Sequence, residues 1–461
     1  MSTPEASATN PISSLPIASP LPRRIGVIGG LGVMVGVIIG SGIFRTPASI
    51  AGQLDSPSLI LALWALGGLL AMPGAFTYAE MGTMFPQSGG VYVFIREAFG
   101  RPAAFVFGWT YMLITKPSAA AGIAVLVGET LNRLLGVQWD IRVTTSVILV
   151  IFTAINTVGV REGASVAVVL TALKLGALAT IVALGVLITK TDPLSPVTQA
   201  LAPVPLWSAL VVVMSAILWT YDGWSDVGAI AGEVRDPGRN LPRIYLLGTA
   251  MVTGLYLTVN AVYMHVLPLD QMRAMPTVAP EVLQRLVGPI GATAVAVAII
   301  ISAVGSTHSS IMTGARVTFQ QSRDGLLFRP LGAIHPKFQT PHVALLVQML
   351  LSITATWWLE GFDKLASSFV FTMWIFYGLA GVALFVFRVK RPDAPRPFRC
   401  PGYPIVPAIF VLAALSMTVL EIRRDPAQSM IWIGILAAGF PVYLVWSRFT
   451  KAPAFESPSG Q

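Results

Sequence analysis

The chain of 461 residues has little charge, one cysteine and four histidines, and each shortage excludes a class of protein. Charged residues make up 11% of the sequence, whereas a soluble domain carries about 25%. Such a chain cannot cover a water-facing surface of its size. One cysteine excludes a disulfide framework and a cysteine-built zinc or iron–sulfur site. Four histidines leave little for a histidine-built centre, and we expect neither a metal nor a cofactor.

Long apolar stretches dominate what is present, and they predict an all-α integral membrane protein. A bilayer core of about 30 Å requires about 20 apolar residues per helix. Twelve stretches meet this length. Their predicted limits are residues 25–47, 58–81, 103–131, 143–160, 163–188, 207–232, 243–267, 287–315, 342–359, 366–388, 403–421 and 429–447.

The two ends of the chain are predicted to be cytoplasmic tails. Residues 1–24 are rich in Ser, Pro and Ala and lack the apolar core and cleavage pattern of a signal peptide, so we expect a disordered tail. Residues 451–461 form the second tail. The loops between the spans are short, and the sequence predicts no additional domain.

The distribution of basic residues predicts the orientation. With the N-terminus inside and twelve spans, 19 Lys and Arg fall in cytoplasmic segments and 8 outside, and Arg45, Lys116 and Lys174 fall within spans. This asymmetry places both termini in the cytoplasm. It also explains the net charge of +9 without a nucleic-acid partner. The lipid bilayer is the expected surrounding: the cell membrane, or the inner membrane if the cell is Gram-negative.

The first span contains Gly40-Ser41-Gly42 in its middle. Glycines in a span allow close helix packing, and that interpretation suits the earlier ones, from Gly26 to Gly36. Two glycines around a serine instead favour a local break, because glycine weakens a helix.

The sixth span is also predicted to break, at Asp222-Gly223, a turn-like pair between aromatic residues. Irregular backbone at membrane depth survives only where it is buried in protein or lines a watery cavity. The alternative, that Asp222-Gly223 lies in a loop between two separate spans, is excluded because residues 207–220 and 224–233 are each too short to cross the membrane.

The two broken spans occupy matching positions if 25–188 and 207–388 are two five-helix repeats of opposite orientation, with 403–447 peripheral. This pattern is typical of inverted-repeat transporters with a midplane site. The N–H groups freed at Ser41, Gly42 and Ile43 favour an anion, and freed carbonyls favour a cation. The pair of breaks therefore suits an α-amino acid.

Four passages resemble the amino acid–polyamine–organocation superfamily, most closely its L-type amino acid transporter branch and bacterial relatives. The resemblance covers about residues 25–450. The passages are Ile38 to Phe44 (IIGSGIF), Pro86 to Gly100 (PQSGGVYVFIREAFG), Thr220 to Pro242 (TYDGWSDVGAIAGEVRDPGRNLP), and Gly305 to Pro341, which contains GSTHSSIMTGARVTFQQSRDGLL and HPKFQTP.

The resemblance implies a LeuT-like 5+5 inverted repeat with twelve transmembrane helices, alternating access and discontinuous first and sixth helices. It implies that Ser41, Gly42 and Ile43 bind the substrate carboxylate, and that carbonyls near Ile38, Trp219 and Asp222 receive the ammonium. Trp219 would also be a lid. Ser225 and Asp226 would face the side-chain pocket. Glu233 and Arg239 would help to close the cytoplasmic mouth through ion pairs.

Lys174 lies in the middle of the fifth span, too far from either end to snorkel easily. By resemblance it occupies the place where sodium-coupled relatives hold a cation, bracing the first break, which implies transport without sodium. It would then bear on proton coupling or gating. Lys116, before Pro117, is either a counter-ion of Asp222 or Asp226 or a residue in a water-facing kink. Glu80 and Glu129 are expected to be solvated or paired carboxylates.

The leading hypothesis is a sodium-independent permease or exchanger of neutral L-amino acids, with protons as a possible coupling ion. A cationic amino acid or polyamine transporter is the alternative, because Asp222 and Asp226 could serve a cationic substrate. Animal L-type transporters carry a cysteine after the third span that joins a heavy chain. Residues 132–142 contain none, so no disulfide-linked heavy chain is expected.

Other classes are disfavoured. An enzyme would need clustered His and acids, whereas the four histidines fall on different spans and loops. The uncompensated pore charges of a channel filter are absent, and no GxxxxGK[ST] phosphate loop supports ATP-driven transport.

Overall fold

The computed structural model describes residues 23, 25–40, 42–86, 89–158, 164–188, 205–338, 340–359 and 361–449. These residues form helices and no strand, apart from one isolated bridge between Ile25 and Val234. The predicted tails lie, except for Arg23, outside the described residues. Twelve of the described helical segments are long and apolar enough to cross a membrane, as the sequence predicts.

Sixteen α-helices are present in the described part of the chain. They are α1 Val27–Ile38, α2 Gly42–Ala51, α3 Pro57–Met84, α4 Val91–Thr110, α5 Lys116–Leu135, α6 Ile141–Val158, α7 Ala164–Ile188, α8 Leu206–Tyr221, α9 Pro237–Val266, α10 Leu269–Arg273, α11 Ala279–Val287, α12 Pro289–Arg323, α13 His342–Leu359, α14 Phe362–Lys390, α15 Ile405–Arg424 and α16 Pro426–Phe449. A π-helical turn, Tyr111–Thr115, and two 3₁₀ segments, Trp224–Glu233 and Arg329–Gly332, lie between them.

The first span is broken where the sequence predicts it. Helix α1 ends at Ile38, the backbone leaves the helical region at Ile39 (ψ 74°), and α2 begins at Gly42. Ser41, the residue between the glycines, lies outside the described residues. The break interrupts the helical hydrogen bonds at a depth where neighbouring protein groups must satisfy them.

The sixth span is broken at the predicted Asp222-Gly223 pair. Helix α8 ends at Tyr221, and Asp222 is extended (ψ 157°). Gly223 has φ +111°, a left-handed conformation that favours glycine. The chain then continues as the 3₁₀ segment Trp224–Glu233 and not as a second α-helix. Twelve spans with interrupted first and sixth members confirm the predicted fold class.

A helix that the sequence did not predict precedes the third span. Residues 91–99, assigned to a cytoplasmic loop, are helical, and the backbone leaves the helical region at Gly100, close to the predicted start of the span at 103. Arg96 lies in this helix, and its charge is compensated by Glu97 at 3.3 Å and Asp324 at 3.2 Å. The backbone at Gly100 (φ +82°, ψ −171°) is not helical, so α4 consists of two helices that meet there.

The segment between the seventh and eighth spans contains two short helices, α10 and α11, that the sequence did not predict. The segment covers α2: the Val278 N–H donates to the Phe44 carbonyl at 3.2 Å, and Arg273 forms an ion pair with Asp55 at 2.5 Å. It thereby holds the second half of the broken first span from the side predicted to be extracellular.

Glu80 ties three segments together at the opposite end of the bundle. Its fully buried carboxylate in α3 lies 2.8 Å from Arg388 of α14 and 3.3 Å from Arg396 in the following loop. It also accepts the Cys400 N–H at 2.6 Å. Glu80 is therefore a paired carboxylate and not a solvated one. Burial and, to a smaller extent, the nearby Glu80 carboxylate raise the pKa of the Cys400 thiol to about 11.

We predict that Glu80→Gln destabilises the protein strongly. Removing one partner of a buried pair costs about 3–5 kcal/mol because the remaining charges stay buried without compensation. The control is Asp140→Asn, since Asp140 pairs with Arg142 at 3.7 Å on the exposed surface, where a pair contributes about 0–1 kcal/mol. Thermal unfolding of the purified variants measures both. Equal melting temperatures for the two variants would contradict the assignment.

Candidate functional site

The two helix breaks lie directly against each other in the centre of the bundle. A side chain on Gly42 would meet Thr220 at 2.5–2.8 Å, and one on Gly223 would meet Val37 at 2.8 Å and the Ile38 nitrogen at 3.2 Å. Both glycines are therefore required by close approach. The arrangement brings the free N-terminal end of α2 and the carboxyl-terminal ends of α1 and α8 to one place.

Tyr256 of α9 connects the two breaks. Its hydroxyl, on a fully buried side chain, lies 2.9 Å from the Ile38 carbonyl and 3.2 Å from the Thr220 carbonyl. It therefore shares its one donated hydrogen between carbonyls from both breaks. The sequence analysis missed Tyr256, because nothing in the sequence around it distinguishes it from other tyrosines in the spans.

Lys174 serves the first break from the other side. Its Nζ donates to the Gly36 carbonyl at 2.9 Å, the Ile39 carbonyl at 3.0 Å and the Ser306 hydroxyl at 3.2 Å. The side chain is 7% exposed, so it does not snorkel to an interface. The Lys174 ammonium thus donates to oxygen atoms of the kind that would otherwise coordinate a bound cation.

A cavity opens beside the two breaks, with an empty volume of about 510 Å³ that includes its open mouth. Its wall combines groups of both charges with apolar and aromatic surface. The lining residues are Val37, Ile38, Gly40, Gly42, Lys116, Ala119, Ile123, Trp219, Asp222, Asp226, Ser306, Ser310 and Phe369. Of the predicted binding residues, Ile38, Gly42, Trp219 and Asp222 line it.

Two other predicted residues are close by but do not line the cavity. Ile43 is fully buried in α2. Ser225 is buried and bonds to Tyr377 at 2.7 Å. Ser306, Ser310 and Phe369 do line it and were missed, although the two serines lie in the motif that carries the family resemblance.

Trp219 forms one wall of the cavity. Its ring lies edge-on to Phe369 at 5.1 Å and to Phe362 at 5.7 Å between ring centroids, and its far edge would be 3.2 Å from a side chain on Gly122. The indole is thus wedged between α5 and α14. A ring in this position covers the space beside the breaks on one side.

The two acids of the cavity have partners already. Asp222 accepts a hydrogen bond from the Tyr377 hydroxyl at 2.5 Å. Asp226 lies 3.8 Å from the Lys116 ammonium, which also stands over the Tyr111 ring at 5.3 Å. Lys116 is therefore the counter-ion of Asp226, one of the alternatives left open by the sequence, and its side chain is buried rather than in a water-facing kink.

One ion pair and one hydrogen bond hold α2 on the side predicted to be extracellular. Arg45 of α2 lies 3.3 Å from Glu129 of α5 and stands over the Phe362 ring at 5.5 Å. Ser49, also on α2, donates to Asp363 of α14 at 2.7 Å. These contacts hold the second half of the first span against α5 and α14.

On the side predicted to be cytoplasmic, backbone hydrogen bonds join the residue before α1 to the end of the 3₁₀ segment that follows the second break. The Ile25 N–H donates to the Glu233 carbonyl and the Arg235 N–H to the Ile25 carbonyl, both at 2.9 Å. Within the described ranges the Glu233 and Arg239 side chains form no ion pair, so their role in closing this mouth stays a prediction. No group of three or more metal-ligating side chains occurs among the residues that the structure describes.

We predict that Tyr256→Phe destabilises the protein by about 1–3 kcal/mol, because buried carbonyls of both breaks lose a donor. Tyr263→Phe is the matched control. Tyr263 is equally buried on the same helix, and its hydroxyl has no hydrogen-bond partner in the described structure. Thermal unfolding should show a lower melting temperature for the first variant only; a larger loss at Tyr263 would disprove the assignment.

The comparisons with known proteins agree along almost the whole chain. The family model described as amino acid permease matches residues 25–446. The serine/threonine exchanger SteT of Bacillus subtilis is 29% identical over 427 residues, covering 92% of this chain and 96% of the relative. The b(0,+)-type amino acid transporter 1 of Mus musculus is 30% identical over 448 residues, covering 95% and 91%. The cystine/glutamate transporter of Homo sapiens is 30% identical over 446 residues, covering 94% and 87%.

Proposed function

As a member of the amino acid permease family, this chain is a membrane transporter and not an enzyme, and we propose that it exchanges neutral L-amino acids without sodium. The observation that carries the proposal is the contact between the two helix breaks beside a cavity that contains charges of both signs. Family membership confirms the resemblance on which the expected fold and activity rested. The substrate class and the coupling are inferred from the residues around the cavity.

The breaks supply complementary groups for an amino acid backbone. The substrate carboxylate would lie at the N-terminal end of α2, at Ser41, Gly42 and Ile43, where helical N–H groups and the helix dipole favour an anion. Its ammonium would lie near the carbonyls of Ile38 and Trp219 and the carboxylate of Asp222. The Ile38 carbonyl already accepts from the Tyr256 hydroxyl at 2.9 Å and from the Gly40 N–H at 2.8 Å, so the ammonium would replace one of these donors there, because a carbonyl oxygen has two lone pairs.

The charges of the cavity favour a neutral side chain. Lys116 compensates Asp226 at 3.8 Å, which leaves Asp222 for the substrate ammonium. A cationic side chain would need a further free carboxylate, and burying an unpaired charge is costly. Trp219 and Phe369, with Ile123, provide apolar surface for the side chain. Neutral amino acids therefore match the cavity without rearrangement of its ion pair.

A cationic amino acid or polyamine is the second candidate. The observation in its favour is the distance of 3.8 Å between Lys116 and Asp226, which is long for a charge-assisted hydrogen bond of about 2.7–2.9 Å. A substrate cation that displaced Lys116 could pair with Asp226. This candidate requires the lysine to move away, whereas the neutral one does not.

We predict saturable uptake and counterflow of neutral amino acids by the purified protein in proteoliposomes. Leucine or serine should compete better than arginine or putrescine, because Asp226 is paired with Lys116 and is not available to a cationic side chain. The reverse order would establish the second candidate. Absence of transport with every amino acid would disprove the proposed function. Comparison of empty with preloaded vesicles, with and without a proton gradient, separates exchange from proton-coupled uptake.

We also predict transport that is unchanged when sodium is replaced by choline, because the Lys174 ammonium already occupies the oxygen atoms at the first break. Lys174→Met should lower the transport rate at least tenfold, since Gly36 and Ile39 lose their donor. Lys337→Met, which removes an exposed positive charge, is the control and should be neutral. Strict sodium dependence of the unaltered protein would overturn the assigned role of Lys174.

The remaining proposals concern the setting of the transporter. The excess of Lys and Arg on one side supports cytoplasmic termini and a place in the cell membrane, the inner membrane in a Gram-negative cell. Residues 25–188 and 207–388 would be the two repeats, with 403–447 peripheral. Glu233 and Arg239 would act at the cytoplasmic mouth. A loop at 132–142 without cysteine supports function without a disulfide-linked heavy chain.

A further inference from the structure

A second polar cavity lies away from the helix breaks, between the first turns of α14 and the α15–α16 junction. Its empty volume is about 480 Å³, including the open part, and it shares no lining residue with the central cavity. Charged side chains from α14 and α15 meet polar side chains of α16 here. The ones that the argument uses are Asp363, Lys364, Glu421, Asp425, Gln428 and Trp432.

Part of this lining is internally satisfied. The Glu421 carboxylate, on a side chain that is almost completely buried, accepts from Arg424 at 2.8 Å, from Ser215 at 3.4 Å and, at close range, from Ser367. Glu421 and Arg424 thus neutralise each other. Neither group has a strong need for an additional partner, so the wall they form is a fixed part of the protein.

Two residues of the same wall, Trp432 and Gln428, have N–H groups without a hydrogen-bond partner in the part of the chain that the structure describes. Trp432 is 4% exposed, and its Nε1 has no hydrogen-bond acceptor among the described residues; the same holds for the buried Nε2 of Gln428. A buried donor without an acceptor costs about 1–3 kcal/mol. Buried polar groups are nearly always paired with protein, water or ligand. Two such donors in one cavity wall call for an acceptor oxygen inside the cavity.

The exposed edge of the cavity carries the complementary charge for an ammonium. Asp363 and Asp425 lie there with Lys364, so the edge has two acids and one base. An anion alone would meet repulsion from the acids, and a cation alone would leave the two N–H groups without an acceptor. A molecule with an oxyanion at one end and an ammonium at the other satisfies both.

We propose that this cavity is a peripheral binding site for a small zwitterion that has an oxyanion and a primary ammonium. The oxyanion accepts from Trp432 and Gln428, and the ammonium lies between Asp363 and Asp425. Two sources have this chemistry: a free amino acid from the aqueous side, and the headgroup of an aminophospholipid such as phosphatidylethanolamine. Apolar residues such as Ile431 and Met430 on α16 are exposed beside the cavity, so lipid can reach it.

The test compares the unaltered protein with Trp432→Phe, which keeps the ring and removes the N–H donor. Trp358→Phe is the matched control, because Trp358 packs edge-on against Trp432 at 5.3 Å but does not line the cavity. Gln428→Leu is the second variant, used if Trp432→Phe does not fold. Each full-length protein is reconstituted in nanodiscs of phosphatidylglycerol, which has no ammonium.

One arm measures the binding stoichiometry of radiolabelled L-serine by equilibrium dialysis. The other adds phosphatidylethanolamine and measures the lipid retained on the protein by native mass spectrometry. We expect the unaltered protein and Trp358→Phe to bind one equivalent more of L-serine, or to retain one more phosphatidylethanolamine, than Trp432→Phe, in which this equivalent is lost or bound at least tenfold more weakly. Serine loss identifies the free amino acid as the source; lipid loss identifies the headgroup.

Retention of both ligands in Trp432→Phe, or equal losses in Trp358→Phe, would overturn the proposal and leave ordered water as the content of the cavity. The difference between protein and variant does not depend on whether L-serine also binds at the helix breaks. A failure here is therefore distinguishable from a failure of the proposed transport function, which is measured by uptake.

Discussion

The structure depends on one constraint: backbone groups freed inside a membrane protein must find partners within it. Interrupting α1 at Ile38 and α8 at Tyr221 frees carbonyls that these helices no longer pair. Lys174 takes the carbonyls of Gly36 and Ile39, and Tyr256 takes those of Ile38 and Thr220. These donors allow the breaks to exist, and the breaks in turn form the wall of the central cavity.

The outer contacts are consistent with a site whose halves can separate. Helix α2 is held by the Arg45–Glu129 ion pair, by the Ser49–Asp363 hydrogen bond and by the backbone of the α10–α11 segment. Glu80 holds the opposite end of the bundle through arginines of α14 and the next loop. The contacts of α2 are partly exposed, so water can replace them when a mouth opens. The Glu80 carboxylate is fully buried, and its contacts fix the other end of the bundle.

Local chemistry explains what the sequence could predict. Gly40 with Gly42, and Asp222 with Gly223, mark the breaks because helical hydrogen bonds are weak at these pairs, and Lys174 is conspicuous as a charge in the middle of a span. Tyr256 and Ser306 could not be found in this way, since their partners are distant in sequence: the carbonyls of Ile38 and Thr220 for Tyr256, and the Lys174 ammonium for Ser306. The helix before the third span was missed for a related reason: Asp324, far along the chain, pairs with Arg96 inside it.

The most direct test of the central claim is an experimental structure of the protein in a lipid nanodisc with a transported neutral amino acid bound. The account predicts the carboxylate at the N-terminal end of α2, beside Gly42, and the ammonium near the carbonyls of Ile38 and Trp219 and the carboxylate of Asp222. An amino acid bound away from these groups, or a first span that is continuous through residues 39–41, would contradict it.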